Sequence, residues 1–249
     1  MNILLLGGTA DARRLCDQLI GQNHKVIYSI AGLVRTPTLA CQVLVGGFRQ
    51  FAGLSQYLID NQIDLILDVT HPYAQKMSDQ AVLSATETGI EVWRFQRPAW
   101  QHKEQDQWSF YQDFDSLSEQ LKQYSRPLLS AGQFTQQEIT SLEHLDNLKK
   151  IVWRTAVAPK FSDKILTKTQ WIKAIGPFLY EDEKILIQSQ DIDVIVSKNS
   201  GGRSTSAKLQ VAQDLGLKVL MLERPFLLGA NREFSSLETC AEAIMNWAK

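Results

Sequence analysis

Two short stretches concentrate the residues that can hold an anion: Gly7-Gly8-Thr9-Ala10-Asp11-Ala12-Arg13 and Lys198-Asn199-Ser200-Gly201-Gly202-Arg203-Ser204-Thr205. Each follows an apolar run and precedes a helical pattern. There the first-turn amides of the helix lack intrahelical acceptors and, with the positive end of the helix dipole, face whatever lies in the loop. Gly7 fits the first glycine of the dinucleotide pattern GxGxxG, Thr9 replaces the second and Ala12 the third, while Thr9 is placed to cap the helix. The first loop is thus assigned to a dinucleotide through Gly8, Thr9 and Ala10. The second combines cations, hydroxyls and glycine-exposed amides, the chemistry of phosphate or carboxylate recognition. It lacks the order GxxxxGK[ST], so nucleotide hydrolysis has no support.

The segment Ser29-Ile30-Ala31-Gly32-Leu33-Val34-Arg35-Thr36 selects the form of the dinucleotide. An NAD site presents an acidic residue about 20 positions beyond the glycine loop to hold the ribose hydroxyls, whereas an NADP site leaves room and positive charge for the extra phosphate. This segment has no carboxylate and carries Arg35. NADPH is the expected cofactor, with Arg35 at its phosphate.

Asp68-Val69-Thr70-His71-Pro72-Tyr73-Ala74 sets a histidine at a strand end, where it could donate a proton, bind a substrate carboxylate or cap the next helix. Tyr180 and Lys184 match the YxxxK pair of short-chain dehydrogenases, but the residues between them are all acidic, and a solvated helix face is the better reading. The four histidines show no paired ligand spacing, and Cys16, Cys41 and Cys240 are widely separated and form no CxxC pair. Neither a metal site nor a disulfide framework is expected.

These loops need elements to position them. Apolar runs at Ile3-Leu6, Lys25-Ile30, Gln42-Val45, Leu65-Val69 and Glu91-Phe95 alternate with helical patterns at Ala10-Gly21, Phe51-Asn61 and Ala74-Thr88. This rhythm calls for a parallel sheet, whose ligands bind beyond the carboxyl ends of its strands. The pattern breaks at Arg97-Pro98-Ala99-Trp100 and resumes with strands at Trp108-Tyr111, Leu128-Ser130, Ile151-Arg154, Trp171-Ile175, Val194-Ser197 and Val219-Leu222, closing on a helix at Leu237-Ala248. The expectation is two α/β domains, 1–98 and 99–249, with a shared cleft.

With 249 residues and a formal net charge of -1, the chain can bury a large core and offers no global positive field to a polyanion. No run approaches the roughly 20 apolar residues that span a bilayer. A cytoplasmic enzyme with neither nucleic-acid nor membrane partners is the class that fits.

Taken in order, Gly7-Gly8-Thr9-x-x-Ala12-Arg13, Val45-Gly46-Gly47-Phe48, Asp68-x-Thr70-His71-Pro72-Tyr73-Ala74, Arg94-x-x-Arg97-Pro98-x-Trp100, Gly176-Pro177-Phe178 and Lys198-Asn199-Ser200-Gly201-Gly202 with Lys208-Leu209 resemble the precorrin-6A reductase family of cobalamin biosynthesis. Ser130-Ala131-Gly132-Gln133 stands where that family commonly has Thr-Thr-Gly-Arg. The resemblance implies two Rossmann-like parallel-sheet domains and an NADPH-dependent reduction of one carbon-carbon double bond in precorrin-6A or its cobalt form. The substrate would then be a small-molecule tetrapyrrole, with hand-over to other corrin-pathway enzymes. On that basis Lys198, Asn199, Ser200 and Gly201 join Gly8, Thr9, Ala10 and Arg35 at the cofactor. Arg97, Gly202, Arg203 and Thr205 face the many carboxylates of the substrate. His71, Tyr73 and a bound water are the candidates for the proton donor.

Two rivals come from other classes. One is a short-chain oxidoreductase or epimerase, which makes Tyr180 and Lys184 catalytic. The other is a nucleotide- or tetrapyrrole-binding protein that does not turn its ligand over.

Overall fold

The computed structural model describes residues 1–22, 24–32, 36–161 and 166–247. It divides into two compact units, Met1–Pro98 with Pro225–Lys249, and Ala99–Arg224.

The first unit is built on a six-stranded parallel sheet. Its strands are β1 (Asn2–Leu6), β2 (Lys25–Ile30), β3 (Gln42–Val45), β4 (Leu65–Asp68), β5 (Glu91–Phe95) and β12 (Arg232–Phe234), in the order β12-β5-β4-β1-β2-β3. Strands covered on both faces need no polar side, which is why residues 3–6 of β1 and 65–67 of β4 read as unbroken apolar runs. Alternate residues still choose opposite faces. Ile3, Leu5, Tyr28, Leu67 and Trp93 pack with Leu15 and Leu19 of helix α1 (Ala10–Ile20) and with Cys240 and Ile244 of helix α8 (Leu237–Met245). Leu4, Leu6, Ile27, Ile66 and Val92 pack with Tyr57 and Leu58 of helix α2 (Leu54–Asp60) and with Ala81 and Ala85 of helix α3 (Gln75–Thr88). Each fully buried Leu, Ile or Val among them contributes about 1.5–3 kcal/mol by leaving water.

The second unit repeats the plan. Its strands are β6 (Gln107–Tyr111), β7 (Pro127–Leu129), β8 (Ile151–Thr155), β9 (Thr169–Lys173), β10 (Val194–Lys198) and β11 (Lys218–Leu222), in the order β6-β11-β10-β7-β8-β9. Helices α4 (Phe114–Leu121) and α5 (Gln136–Glu143) cover one face with Leu117, Leu121, Ile139 and Leu142. Helices α6 (Tyr180–Ser189) and α7 (Ala207–Asp214) cover the other with Ile187, Leu209, Val211 and Ala212.

Both sheets follow the 3-2-1-4-5-6 order of a Rossmann sheet, but the sixth strand of each comes from outside the consecutive five. In the second unit it is β6, which precedes the rest of its sheet in the chain. In the first it is β12, supplied by the C-terminal segment. The sequence predicts domains of 1–98 and 99–249; the compact units divide the chain at 98 and again at 224. Pro225–Lys249 belongs to the first unit because Asn231 bonds both ways with the backbone of Val92, β12 pairs with β5, and α8 supplies Leu237, Cys240 and Ile244 to the core.

Element ends shift modestly. The last helix stops at Met245, and Ala248, its expected end, lies outside the described residues. The helix expected over 51–61 is a 3-10 turn at Phe48–Phe51 followed by α2, interrupted where Ala52 takes a left-handed φ of 58°. Cys16 and Cys41, far apart in sequence, bring their thiols to 3.5 Å, and burial pushes the Cys16 thiol up in pKa.

Candidate active site

In a sheet of this order the crevice opens where the chain leaves neighbouring strands in opposite directions. In the first unit those strands are β1 and β4, paired with Leu6 opposite Asp68. The glycine loop follows Leu6 and the His71 loop follows Asp68. Both motifs thus flank one switch point.

The glycine loop lies on Tyr28. A Cβ on Gly7 would fall 2.3 Å from the phenol ring, and the Tyr28 hydroxyl accepts the Gly8 N–H at 3.0 Å. Gly8 itself has φ 103°, a conformation that L side chains rarely adopt. Thr9 caps α1, its Oγ1 accepting from Ala12 N at 3.0 Å and donating to Val69 O at 3.0 Å. That second bond fastens the glycine loop to the neighbouring loop across the switch point. The Gly8 amide and the Thr9 hydroxyl are both engaged within the fold. The donors that helix geometry offers an anion are the first-turn amides of Ala10 and Asp11.

Asp11 and Tyr28 were not singled out from the sequence. The Asp11 carboxylate is buried in the first turn of α1, favoured there by the helix dipole, and pairs with Arg14 and with Arg97 Nε at 3.2 Å. Arg97, expected at the substrate, is therefore tied to the glycine-loop helix. An acid in a first helical turn was the available signal for Asp11. Tyr28 carried none, because its contact arises only when β2 pairs with β1.

The His71 loop rests on a buried ion pair. Asp68 accepts from Arg94 Nε at 2.9 Å and from the Thr70 backbone and hydroxyl at 3.2 and 2.8 Å. Arg94 Nη1 also donates to Leu228 O at 2.8 Å and to Glu233 at 3.0 Å. The same arginine thus holds the loop and the returning C-terminal segment. His71 Nδ1 accepts from the Tyr73 amide at 3.3 Å, which assigns the ring proton of a neutral imidazole to Nε2. The His71 and Tyr73 rings lie 5.7 Å apart, both half-buried. The neutral ring can donate a hydrogen bond through Nε2 to a carboxylate, and only its imidazolium form can deliver a proton to carbon.

In the second unit the switch point lies between β7 and β10, with Leu129 opposite Val196. Ser130 follows β7, and Lys198 is the last residue of β10 before its loop. Ser130 closes on Val196 O through its amide at 2.9 Å and its hydroxyl at 2.8 Å. Lys198 Nζ lies over Gly132, 3.3 Å from where a Cβ would stand, and burial pulls its ammonium down in pKa. Asn199, assigned to the cofactor from the sequence, is held by Trp100 and Arg224. Its side chain accepts from Trp100 N at 2.7 Å and donates to Trp100 O at 3.2 Å, and its carbonyl accepts from Arg224 Nε at 2.8 Å. Ser200 Oγ lies 3.4 Å from Thr205 Oγ1, Gly202 is buried, and Arg203 is exposed in a 3-10 turn at Arg203–Thr205.

The structure therefore gathers Gly8, Thr9, Ala10, His71, Tyr73 and Arg97 at the first switch point, and Lys198, Asn199, Ser200, Gly201, Gly202, Arg203 and Thr205 at the second. Arg35 lies outside the described residues. Tyr180 and Lys184 stand apart from both sets, on α6. The Tyr180 hydroxyl donates to Asp214 at 2.7 Å, and that bond raises its pKa, the reverse of what a phenol proton donor needs. Among the described residues no group of three or more His, Cys, Asp or Glu is placed to hold a metal ion, and no helix is long and apolar enough to cross a membrane.

Two parallel sheets in Rossmann order, with glycine and cation loops at their switch points, define a Rossmann-like α/β protein. The family model described as precorrin-6x reductase CbiJ/CobK matches residues 2–247, so the chain belongs to the precorrin-6x reductase family. The precorrin-6A reductase of Rhodobacter capsulatus is 31% identical over 98% of this chain and 94% of its own length. That of Rhodococcus erythropolis is 35% identical over 90% and 89%. The cobalt-precorrin-6A reductase of Priestia megaterium is 26% identical over 98% of each chain. A solved structure described as CobK precorrin-6A reductase superposes with a TM-score of 0.86 at 29% identity, covering 99% of this chain and 96% of that one.

Proposed function

We propose that this chain reduces one carbon-carbon double bond of precorrin-6A with NADPH, giving precorrin-6B in corrin biosynthesis. Membership in the family makes it a reductase that uses a nicotinamide cofactor. The observation that carries the reading is the position of the glycine loop, the His71 loop and the Lys198 loop at the two switch points, where such sheets bind ligands. The cobalt-free substrate is favoured because the relatives named precorrin-6A reductase are 31–35% identical, against 23–26% for those named for the cobalt form. A cytoplasmic site of action accords with this reading.

The residues fit the cofactor. Gly8 has no atom within 4 Å of where a side chain would begin, and the Ala10 and Asp11 amides head an 11-residue helix, as a pyrophosphate requires. NADPH rather than NADH follows from the absence of a carboxylate after β2 and from Arg35. When bound, the cofactor supplies a hydride to one carbon of the double bond and becomes NADP+, while a proton reaches the other carbon. His71 Nε2 and the Tyr73 hydroxyl are the side chains offered for that proton. Lys198, Arg203 and Arg97 hold anionic groups, of cofactor or substrate, by charge-assisted hydrogen bonds.

The test is an anaerobic assay with NADPH and purified precorrin-6A. Loss of NADPH absorbance with a product heavier by two hydrogens is expected. Binding without NADPH consumption would instead identify a non-catalytic tetrapyrrole-binding protein.

A further inference from the structure

A buried charge cluster in the second unit takes no part in the reaction described above. Arg154 on β8 and Glu183 on α6 form a two-point ion pair, one arm measuring 3.0 Å, with both side chains enclosed. Lys208, in the first turn of α7, is only 5% exposed, and Arg154 and Glu183 are the groups whose charges act on it. Two cations against one carboxylate leave an enclosed positive charge, which is costly unless its hydrogen bonds are met. Lys208 Nζ donates to Thr205 O at 2.8 Å and lies 5.5 Å from the centre of the Trp100 ring.

Those two contacts reach both ends of one loop. Trp100 is stapled to Asn199 by paired hydrogen bonds, and Thr205 closes the 3-10 turn. Ser204 O in the same turn accepts from Phe178 N at 3.0 Å, and Arg154 lies 4.2 Å over the Phe178 ring. We propose that Lys208 is a positioning residue whose ammonium form holds the Trp100 segment and the Arg203–Thr205 turn together, setting the Lys198–Thr205 loop for anionic groups. This rests on the reading that the loop holds those groups.

Attraction to the Trp100 ring and a charge-assisted bond to Thr205 both require the proton on Nζ. Burial pulls that ammonium down to about 8, Arg154 adding to the fall and Glu183 opposing it. Loop order and ligand affinity are therefore lost as pH rises through about 8. Stability moves the other way. The unfolded lysine keeps its proton to about 10.4, so between the two values the unfolded state binds more protons and rising pH favours the folded state. Binding that weakens while the fold strengthens separates positioning from alkaline unfolding.

The experiment compares the full-length wild type with Lys208→Met, Lys208→Arg and Lys198→Ala. It measures amide hydrogen exchange at the Arg203–Thr205 turn, thermal midpoints, and kcat and KM for NADPH and precorrin-6A from about pH 7 to about pH 10, spanning the ordinary lysine pKa. Lys208→Met is expected to melt at or above the wild type and to exchange faster at the turn. Its KM for at least one ligand should rise about tenfold, the scale of one lost charge-assisted bond, with kcat less affected and no alkaline limb near pH 8. Lys208→Arg, always charged, should keep its KM low through that limb. Wild-type exchange and KM in Lys208→Met would overturn the proposal. If Lys198→Ala raises KM while Lys208→Met does not, the positioning role falls and the loop assignment stands. If neither raises KM, both fall.

Discussion

Thr9 and Asn199 are polar residues in motif loops whose side chains are engaged within their own units, one joining two loops at a switch point, the other clasping the Trp100 backbone. Their substitution should act through loop geometry. Lys198 and Arg35 are the residues whose substitution should act on ligand binding directly. Lys198→Ala is expected to lower kcat/KM by about tenfold or more, the scale of a charge-assisted hydrogen bond of roughly 1.5–3 kcal/mol. Its melting temperature should change little, because burial already disfavours that ammonium. Steady-state kinetics and a thermal melt check both halves. Arg35→Ala should raise KM for NADPH and barely alter KM for NADH. Equal responses to the two cofactors would remove Arg35 from the phosphate site.

Between neighbouring elements the decisive contact is Asp68 with Arg94. β4 and β5 pair with Asp68 directly opposite Arg94, and both side chains are almost fully enclosed. Removing one partner leaves an uncompensated charge in a dry interior, which costs about 3–5 kcal/mol. Arg94→Met should therefore lower the unfolding free energy by about that amount in urea titration. Because Arg94 also holds Leu228 O and Glu233, amide exchange should rise both at Thr70–Tyr73 and along 228–233. Faster exchange at the first site alone would show that the C-terminal segment is held by other contacts.

For the whole chain, the order of strands predicts which pieces can stand alone. Every strand of the second sheet lies within 99–224, so that fragment should unfold cooperatively when expressed by itself. Residues 1–98 lack β12 and α8, leaving Trp93, Leu15 and Leu19 without Leu237, Cys240 and Ile244. That fragment should fail to give a cooperative melt until 225–249 is supplied. Cooperative melting of 1–98 alone would show that the five-stranded remainder suffices. Extensive chelation should leave the reductase rate of the intact protein unchanged, and a loss reversed by zinc or iron would defeat that expectation.

The amino-acid sequence by itself determined the parallel α/β class, most strand positions and the motif loops after the strands, because these depend on local periodicity and on short-range turn and capping chemistry. The ordered motifs also sufficed for the family resemblance. Only the tertiary structure decided that β12 and α8 return to the first unit, since β12 is three residues long and its pairing with β5 spans the whole second unit. It alone brought the Tyr28 hydroxyl under Gly8, Arg97 to Asp11 and Lys208 between Trp100 and Thr205. Each of these is a contact between elements remote in sequence or a choice among faces of a helix, set by strand order and packing rather than by any local pattern.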